Sequence, residues 1–175
     1  MKIISIFLIS ILIGPFLIIT HELGHFIADI FLGIDSRLQY ANVDGPDPCS
    51  SEFPLSTCLI SVGAGPLTTL LMAGITTFLF YRTDKIVFFI LGGGFSGRAI
   101  YNFYKTNTDE LQIDNALRLP RYTTYIITLI ISLILIFLLI KRLKEDKIKT
   151  TAIAIAGLLI GAFIWLFLLG PIILP

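Results

Sequence analysis

Residues 21–25 are the segment whose residue types and spacing could carry out chemistry. They read His-Glu-Leu-Gly-His, an H-E-x-x-H pattern. On a helix, positions four apart lie on one face, so His21 and His25 can present two imidazoles to one metal ion. Glu22 lies about 100° around the helix from His21, close enough to reach a water molecule on that metal. Zinc in catalytic sites keeps an open position and lowers the pKa of its bound water to about 7, so Glu22 could act as a general base.

The surroundings of this motif are unusual. The chain has two histidines in total, and both belong to the motif. They interrupt an apolar stretch, where a charged residue at the centre of a membrane helix costs roughly 2.5–3.5 kcal/mol. Ionisable residues within an apolar stretch therefore indicate a functional site. The simpler alternative is a buried polar network that serves only helix packing.

Long apolar runs must position the motif. Hydrophobic residues make up 55% of the 175-residue chain and charged residues 14%, against about 25% charged residues in a soluble domain. Five runs approach or exceed the roughly 20 residues that cross a bilayer, and inside lipid each run should be helical. They are Ile3 to about Gly33, about Thr57 to Tyr81, about Ile86 to Phe103, about Tyr122 to Ile140 and about Thr151 to Leu174. The sequence therefore predicts an all-α fold, a polytopic helix bundle of about five transmembrane helices in one membrane domain, 1–175.

Composition also limits the partners. The net charge of +1 provides no basic field for nucleic acid, and the expected surroundings are the lipid bilayer.

Lys2 followed by an apolar run could alternatively begin a cleaved signal peptide. The run to Thr20 is longer than the usual apolar region of about 7–15 residues, and no small-x-small cleavage site follows it. A membrane span is therefore the favoured interpretation.

Lysine and arginine are divided unequally between the two sides that five spans define. The amino terminus, the turn at 82–85 and the loop at 141–150 hold eight of them, whereas 34–56 and 104–121 on the other side hold four. The positive-inside rule then predicts a cytoplasmic amino terminus. Cys49 and Cys58 would lie on the outer side, where they could form a disulfide or remain unrelated thiols.

A catalytic zinc needs a third protein ligand, commonly a carboxylate. Asp29 is the nearest in sequence. A helix rise of about 1.5 Å per residue puts it about 12 Å from His21, too far for two ligands of one zinc ion. Asp29 is better interpreted as a supporting partner of His25 or as an acid at the membrane interface.

The ligand should then come from another span that ends at the same depth. The motif lies toward the outer end of the first span, and the outer end of the third span is the matching place. Asp109, Glu110 and Asp114 are the candidates there, and Asp109 is preferred over Asp114. A helix N-cap is the structural alternative for Asp109, and a solvated helix face is the alternative for Asp114.

Two segments of the sequence resemble a known protein family. His21-Glu22-Leu23-Gly24-His25 resembles the H-E-x-G-H of the site-2 protease family of intramembrane zinc metalloproteases. The segment Gly63-Ala64-Gly65-Pro66-Leu67, at the start of the second span, resembles the Gly-Pro element of the family's second core helix. The family takes its aspartate ligand from the third core helix region, commonly in Leu-Asp-Gly. This chain lacks that tripeptide, and Asp109 is the best positional match.

The resemblance covers roughly residues 1–120, which would form a three-helix metalloprotease core, while 121–175 would add two transmembrane helices. It implies a Zn²⁺ enzyme that hydrolyses peptide bonds in or near the transmembrane segments of membrane-protein substrates. Asn102, near the end of the third span, is a possible donor to the developing oxyanion. The alternative from a different class is a non-enzymatic metal-binding membrane protein, either a carrier or an assembly factor, that retains the fold.

Overall fold

The computed structural model describes residues 3–101 and 108–174, and helices dominate this part of the chain. The long helices are α1 (Ile3–Leu32), α2 (Leu55–Thr83), α3 (Ile86–Tyr101), α5 (Thr123–Arg142) and α6 (Ile148–Ile164). A short helix, α4 (Asp109–Leu117), precedes α5. A 3₁₀ turn (Glu145–Lys147) precedes α6, and a π-helical segment (Trp165–Leu169) with α7 (Gly170–Ile173) follows it. The predicted all-α helix bundle is confirmed.

Four of the helices are long and apolar enough to cross a membrane, which indicates a membrane protein: Ile3–Leu32, Leu55–Thr83, Thr123–Arg142 and Ile148–Leu169. The third predicted span corresponds to α3, which has 16 described residues. At about 1.5 Å per residue α3 covers about 24 Å, somewhat less than the hydrocarbon thickness. Large apolar side chains point outward from the bundle; Leu12 is 72% exposed and Phe31 86%. Such a surface suits lipid rather than water.

Helix α2 lies at the centre, packed against α1, α3, α4 and α5. Two small apolar clusters hold the bundle together. One joins α1, α3 and α6 through Ile6, Ile13, Ile90 and Ala154. The other joins α2, α3 and α5 through Phe80, Phe89 and Leu139. The segment predicted as two additional helices is therefore packed directly onto α1, α2 and α3.

The connection between α1 and α2 contains a β-hairpin that the sequence analysis did not predict. Its strands, β1 (Arg37–Leu38) and β2 (Val43–Asp44), pair antiparallel with Arg37 opposite Asp44. Two residues per strand are too few to show the alternating pattern that identifies strands in a sequence. A disulfide between Cys49 and Cys58 ties the end of this connection to α2, which decides between the two alternatives for these cysteines.

Hydrogen bonds group the connections at two ends of the bundle. At one end, Tyr40 of the hairpin donates its backbone N–H to Leu174 and accepts the indole N–H of Trp165. At the other end, Arg142 and Lys147 bind Asp84 in the turn between α2 and α3. This grouping matches the two sides on which the lysines and arginines were counted.

Candidate metal centre

The H-E-x-x-H motif lies in the second half of α1, and its two histidines approach each other on one face. The Nε2 atoms of His21 and His25 are 3.1 Å apart, and the ring planes are nearly perpendicular. His21 is buried, with 5% of its surface exposed, and His25 is partly buried. The spacing of four residues therefore does what helical geometry predicts, because it directs two imidazole nitrogens to one point.

One face of α2 fixes the orientation of both rings. Nδ1 of His25 lies 2.8 Å from the carbonyl oxygen of Ser61, which can only accept, so this nitrogen carries the proton. Nδ1 of His21 lies 3.0 Å from the hydroxyl of Thr69, and that hydroxyl donates to the carbonyl of Gly65. Nδ1 of His21 therefore carries a proton as well. Both Nε2 atoms are left with their lone pairs directed into the site, as metal ligation requires.

Gly65 lies between these two partners on the same face of α2 and allows the helices to approach. A Cβ atom there would lie 2.5 Å from Cε1 of His21 and would overlap Nε2 of His25. Gly24 has a similar place on α1, where a Cβ would lie 2.8 Å from the carbonyl oxygen of Ala64. The Gly-Ala-Gly-Pro segment that the sequence analysis matched to a family element therefore packs directly against the histidines.

Asp109, the first residue of α4, completes the group. Its Oδ2 lies 3.1 Å from Nε2 of His21 and 3.4 Å from Nε2 of His25. Thr108 is the N-cap of α4, so the N-cap alternative for Asp109 is wrong. Burial raises the pKa of the Asp109 carboxyl, but its close contacts with the two histidines and the neighbouring positive charge outweigh burial and hold the pKa well below its usual range. Asp109 is therefore an anion at neutral pH.

The chemistry of these three residues fits a metal cation. His21, His25 and Asp109 each offer one ligand atom, and these atoms lie within 4.8 Å of one another. Since both Nδ1 protons point outward, the atoms that converge are two imidazole lone pairs and a carboxylate oxygen. Such an arrangement is repulsive unless a proton or a metal ion lies among them. Two histidines and one carboxylate form a donor set that zinc accepts in catalytic sites.

Glu22 lies on the wall of the cavity that contains this group. The cavity has a volume of about 350 Å³ and is lined on one side by His21, Glu22, His25 and Asp109. Hairpin and loop residues between Ala41 and Pro48 line another part of the same cavity. The hairpin, Glu22 and the three candidate ligands therefore border one space.

The other predicted site residues lie at different positions. Asp29 accepts a hydrogen bond from the Ser61 hydroxyl, and the Ser61 carbonyl binds His25, so the link from Asp29 to His25 passes through Ser61. Asp114 is buried and accepts the backbone N–H of Thr124, which contradicts the solvated-face alternative and ties α4 to α5. Asn102 lies outside the described residues.

Sequence reasoning missed Arg98, which enters the site from α3. One Nη atom of its guanidinium lies 2.7 Å from both Asp109 Oδ2 and His21 Nε2. The other donates to Glu110 Oε1 at 3.2 Å. An arginine within an apolar run was the available signal, because such a charge is costly unless it has a partner. The roles of Ser61 and Thr69 left no such signal, because hydroxyl residues are common in membrane helices.

Comparisons with protein-family models, with curated proteins and with solved structures find no match for this chain.

Proposed function

We propose that this protein is an intramembrane zinc metalloprotease that hydrolyses peptide bonds in or near the transmembrane segments of other membrane proteins. One observation carries the proposal. His21, His25 and Asp109 converge on one point from α1 and α4, and Glu22 lines the same cavity. The resemblance of the H-E-x-G-H and Gly-Ala-Gly-Pro segments to site-2 proteases points to the same activity.

Each residue has a defined task in this reaction. His21, His25 and Asp109 would hold zinc, which, when bound, supplies the Lewis acidity that makes a water molecule nucleophilic near neutral pH. Glu22 takes the proton from that water as its oxygen attacks the carbonyl carbon of the peptide bond. The same carboxyl then delivers the proton to the amide nitrogen as the C–N bond breaks. Ser61 and Thr69 keep both imidazoles in the tautomer that binds metal.

The dimensions of the cavity favour an extended substrate. An α-helix with its side chains is about 10–12 Å wide, whereas a cavity of about 350 Å³ between α1 and the hairpin holds only a few residues of an extended chain. The substrate helix must therefore unwind before cleavage. Because the apolar outer faces of the helices meet lipid, the substrate is expected to be membrane-bound.

We also propose a multi-pass topology with a cytoplasmic amino terminus. The end of the bundle that carries the metal site also carries the Cys49–Cys58 disulfide, and disulfides persist on the oxidising side of a membrane. The opposite end carries the larger share of lysine and arginine, which favours the cytoplasm. The site would then open toward the outer side.

The test combines metal content with a conservative change of the general base. Wild type, Glu22→Gln, His21→Ala and Asp109→Asn are purified in detergent, and zinc is measured by elemental analysis. Each protein is also reconstituted in vesicles with a panel of reporter proteins that contain a single transmembrane helix. Mass spectrometry then identifies new termini in these reporters.

We expect about one zinc per chain in wild type and in Glu22→Gln, and clear loss of zinc in the two ligand variants. Cleavage should occur with wild type and should be abolished in Glu22→Gln, because only the proton acceptor is removed. Zinc binding without any Glu22-dependent cleavage would favour the non-enzymatic carrier or assembly factor. Absence of zinc after reconstitution would overturn both functions.

A further inference from the structure

Arg98 is a charged residue in an otherwise apolar helix, and the proposed metal ligands do not explain its presence. Only 23% of its side chain is exposed. An arginine buried in this way requires compensation, which Glu110 provides through a hydrogen bond of 3.2 Å to one Nη atom. Glu110 is itself 1% exposed and belongs to α4, next to Asp109. The pair therefore fixes one edge of the guanidinium and leaves the other edge facing the site.

The edge that faces the site directs N–H groups at both His21 and Asp109, and a metal on His21 would leave one of these groups without its acceptor. Its Nη atom lies 2.7 Å from His21 Nε2 and from Asp109 Oδ2. The single lone pair of an imidazole nitrogen serves one partner at a time, so a metal on His21 releases this donor. Arg98 also lines the cavity together with Glu22. The released N–H group can then reach an acceptor on a molecule bound in the cavity.

We propose that Arg98 is a catalytic residue that binds the carbonyl oxygen of the scissile peptide bond, and that Glu110 is the positioning residue that holds it there. This inference rests on the proposed protease function. When the water oxygen bonds to the carbonyl carbon, the carbonyl electron pair moves to oxygen, which becomes negatively charged. Arg98 donates hydrogen bonds to that oxygen and keeps its own protons, and Glu22 alone transfers a proton. The negative oxygen receives more stabilisation than the neutral carbonyl, which lowers the barrier.

Three other roles of Arg98 would give different results, so four variants are compared with wild type. Arg98→Gln removes the charge, Arg98→Lys keeps it without the planar fork, and Glu110→Gln weakens the anchor. Arg142→Gln is the matched control, because Arg142 also binds a carboxylate, Asp84, at the opposite end of the bundle. For each protein we measure zinc content, the kinetics of reporter cleavage and, by calorimetry, the affinity of the zinc-loaded form for inorganic phosphate, a tetrahedral anion.

We expect Arg98→Gln to retain about one zinc per chain. Its kcat should fall by about 10²–10³-fold, the usual loss when one donor to an oxyanion is removed, with a smaller change in KM. Its phosphate affinity should fall at least ~10-fold, because the charge-assisted hydrogen bond is lost. Arg98→Lys should recover part of both losses, Glu110→Gln should show smaller losses of the same kind, and Arg142→Gln should behave as wild type.

If wild type binds zinc and cleaves the reporters, three results would overturn this role of Arg98. Loss of zinc in Arg98→Gln would make Arg98 part of the metal site's scaffold. Tighter zinc binding with faster cleavage would make it a competitor of the metal for the ligand atoms. Unchanged kcat and phosphate affinity would leave only a structural ion pair. If wild type itself binds no zinc, or if Glu22→Gln still cleaves, the proposed protease function fails and this inference fails with it.

Discussion

At the scale of single residues, the site depends on small groups that act on the two histidines. Thr69 and Ser61 fix the ring protons on Nδ1, and Gly65 leaves room for both rings. Ser61, Gly65 and Thr69 are spaced four apart on α2, so they form one stripe along the helix. Because α1 and α2 are antiparallel, Ser61 at the start of this stripe contacts His25, and Thr69 at its end contacts His21.

Removing the Thr69 hydroxyl should weaken metal binding without unfolding the protein. Thr69→Val keeps the shape of the side chain but leaves Nδ1 of His21 without its acceptor. Losses of such supporting partners cost about 10–100-fold in metal affinity, and we expect zinc affinity to fall by that factor in a chelator competition. Thr76→Val is the control, because the Thr76 hydroxyl donates to backbone carbonyls of its own helix and, within the described residues, to no histidine. Equal affinities in the two variants would contradict the role of Thr69.

Gly65 should be intolerant of any side chain, whereas Gly63 in the same segment should not. A Cβ at residue 65 overlaps the His25 ring, but a Cβ at residue 63 meets only a methyl group of Ile113 at 4.0 Å. Gly65→Ala should therefore lose zinc and activity, while Gly63→Ala should keep both. Elemental analysis and reporter cleavage check this pair. Zinc retention in Gly65→Ala would show that the histidines bind metal in another arrangement.

At the scale of elements, close contact between α1 and α6 is the main feature that the sequence analysis did not predict. A Cβ on Gly157 would lie 2.8 Å from the carbonyl oxygen of Phe7, and one on Gly14 would lie 2.8 Å from that of Leu158. Helices in a membrane associate through such close backbone contact, because lipid provides no hydrophobic driving force between them. Helix α6 is thus fixed against the helix that carries the motif.

This contact predicts opposite outcomes for two glycine substitutions. Gly157→Ala places a methyl group against the backbone of α1 and should destabilise the protein by about 1–3 kcal/mol, as overpacking does. Gly93→Ala on α3 meets nothing within 4 Å and should be neutral or slightly stabilising, since alanine favours helix over glycine. Unfolding in mixed micelles with increasing dodecyl sulfate gives both free energies. A stable Gly157→Ala would mean that α6 can shift along α1 at little cost.

At the scale of the whole molecule, the two ends of the bundle differ in chemistry. One end carries the candidate metal ligands, the hairpin and the Cys49–Cys58 disulfide, and Trp165 after α6 donates a hydrogen bond to Tyr40 of the hairpin. The other end carries the Asp84 ion pairs with Arg142 and Lys144. The carboxyl-terminal segment therefore supports the hairpin that lines the candidate site.

This polarity predicts which cysteines a membrane-impermeant reagent can reach in intact cells. Cys49, which is partly exposed, should resist an impermeant maleimide until an impermeant phosphine reduces its disulfide with Cys58, and should then react from outside. A cysteine introduced at Lys144 in a cysteine-free variant should react only after permeabilisation. Labelling of the introduced cysteine from outside would reverse the proposed orientation, and labelling of Cys49 without reductant would exclude the disulfide.

The sequence by itself determined the local features. Apolar runs fix the helices, because unpaired backbone groups are not tolerated in lipid. The spacing of His21 and His25 fixes their common face, because helical pitch depends on nothing distant. Their position along α1 also indicated the depth at which a third ligand should be sought, which led to Asp109 and Asp114.

Only the tertiary structure decided which distant groups meet. It brings Asp109 to the histidines and directs Asp114 to α5, although both residues lie on the same short helix. The rotation of α4 about its axis decides this, and that rotation depends on the packing of α4 against α2 and α5. Arg98, Ser61 and Thr69 reach the site for the same reason. Their roles follow from helix orientation and interhelical distance, which many side-chain contacts determine together and which no local pattern records.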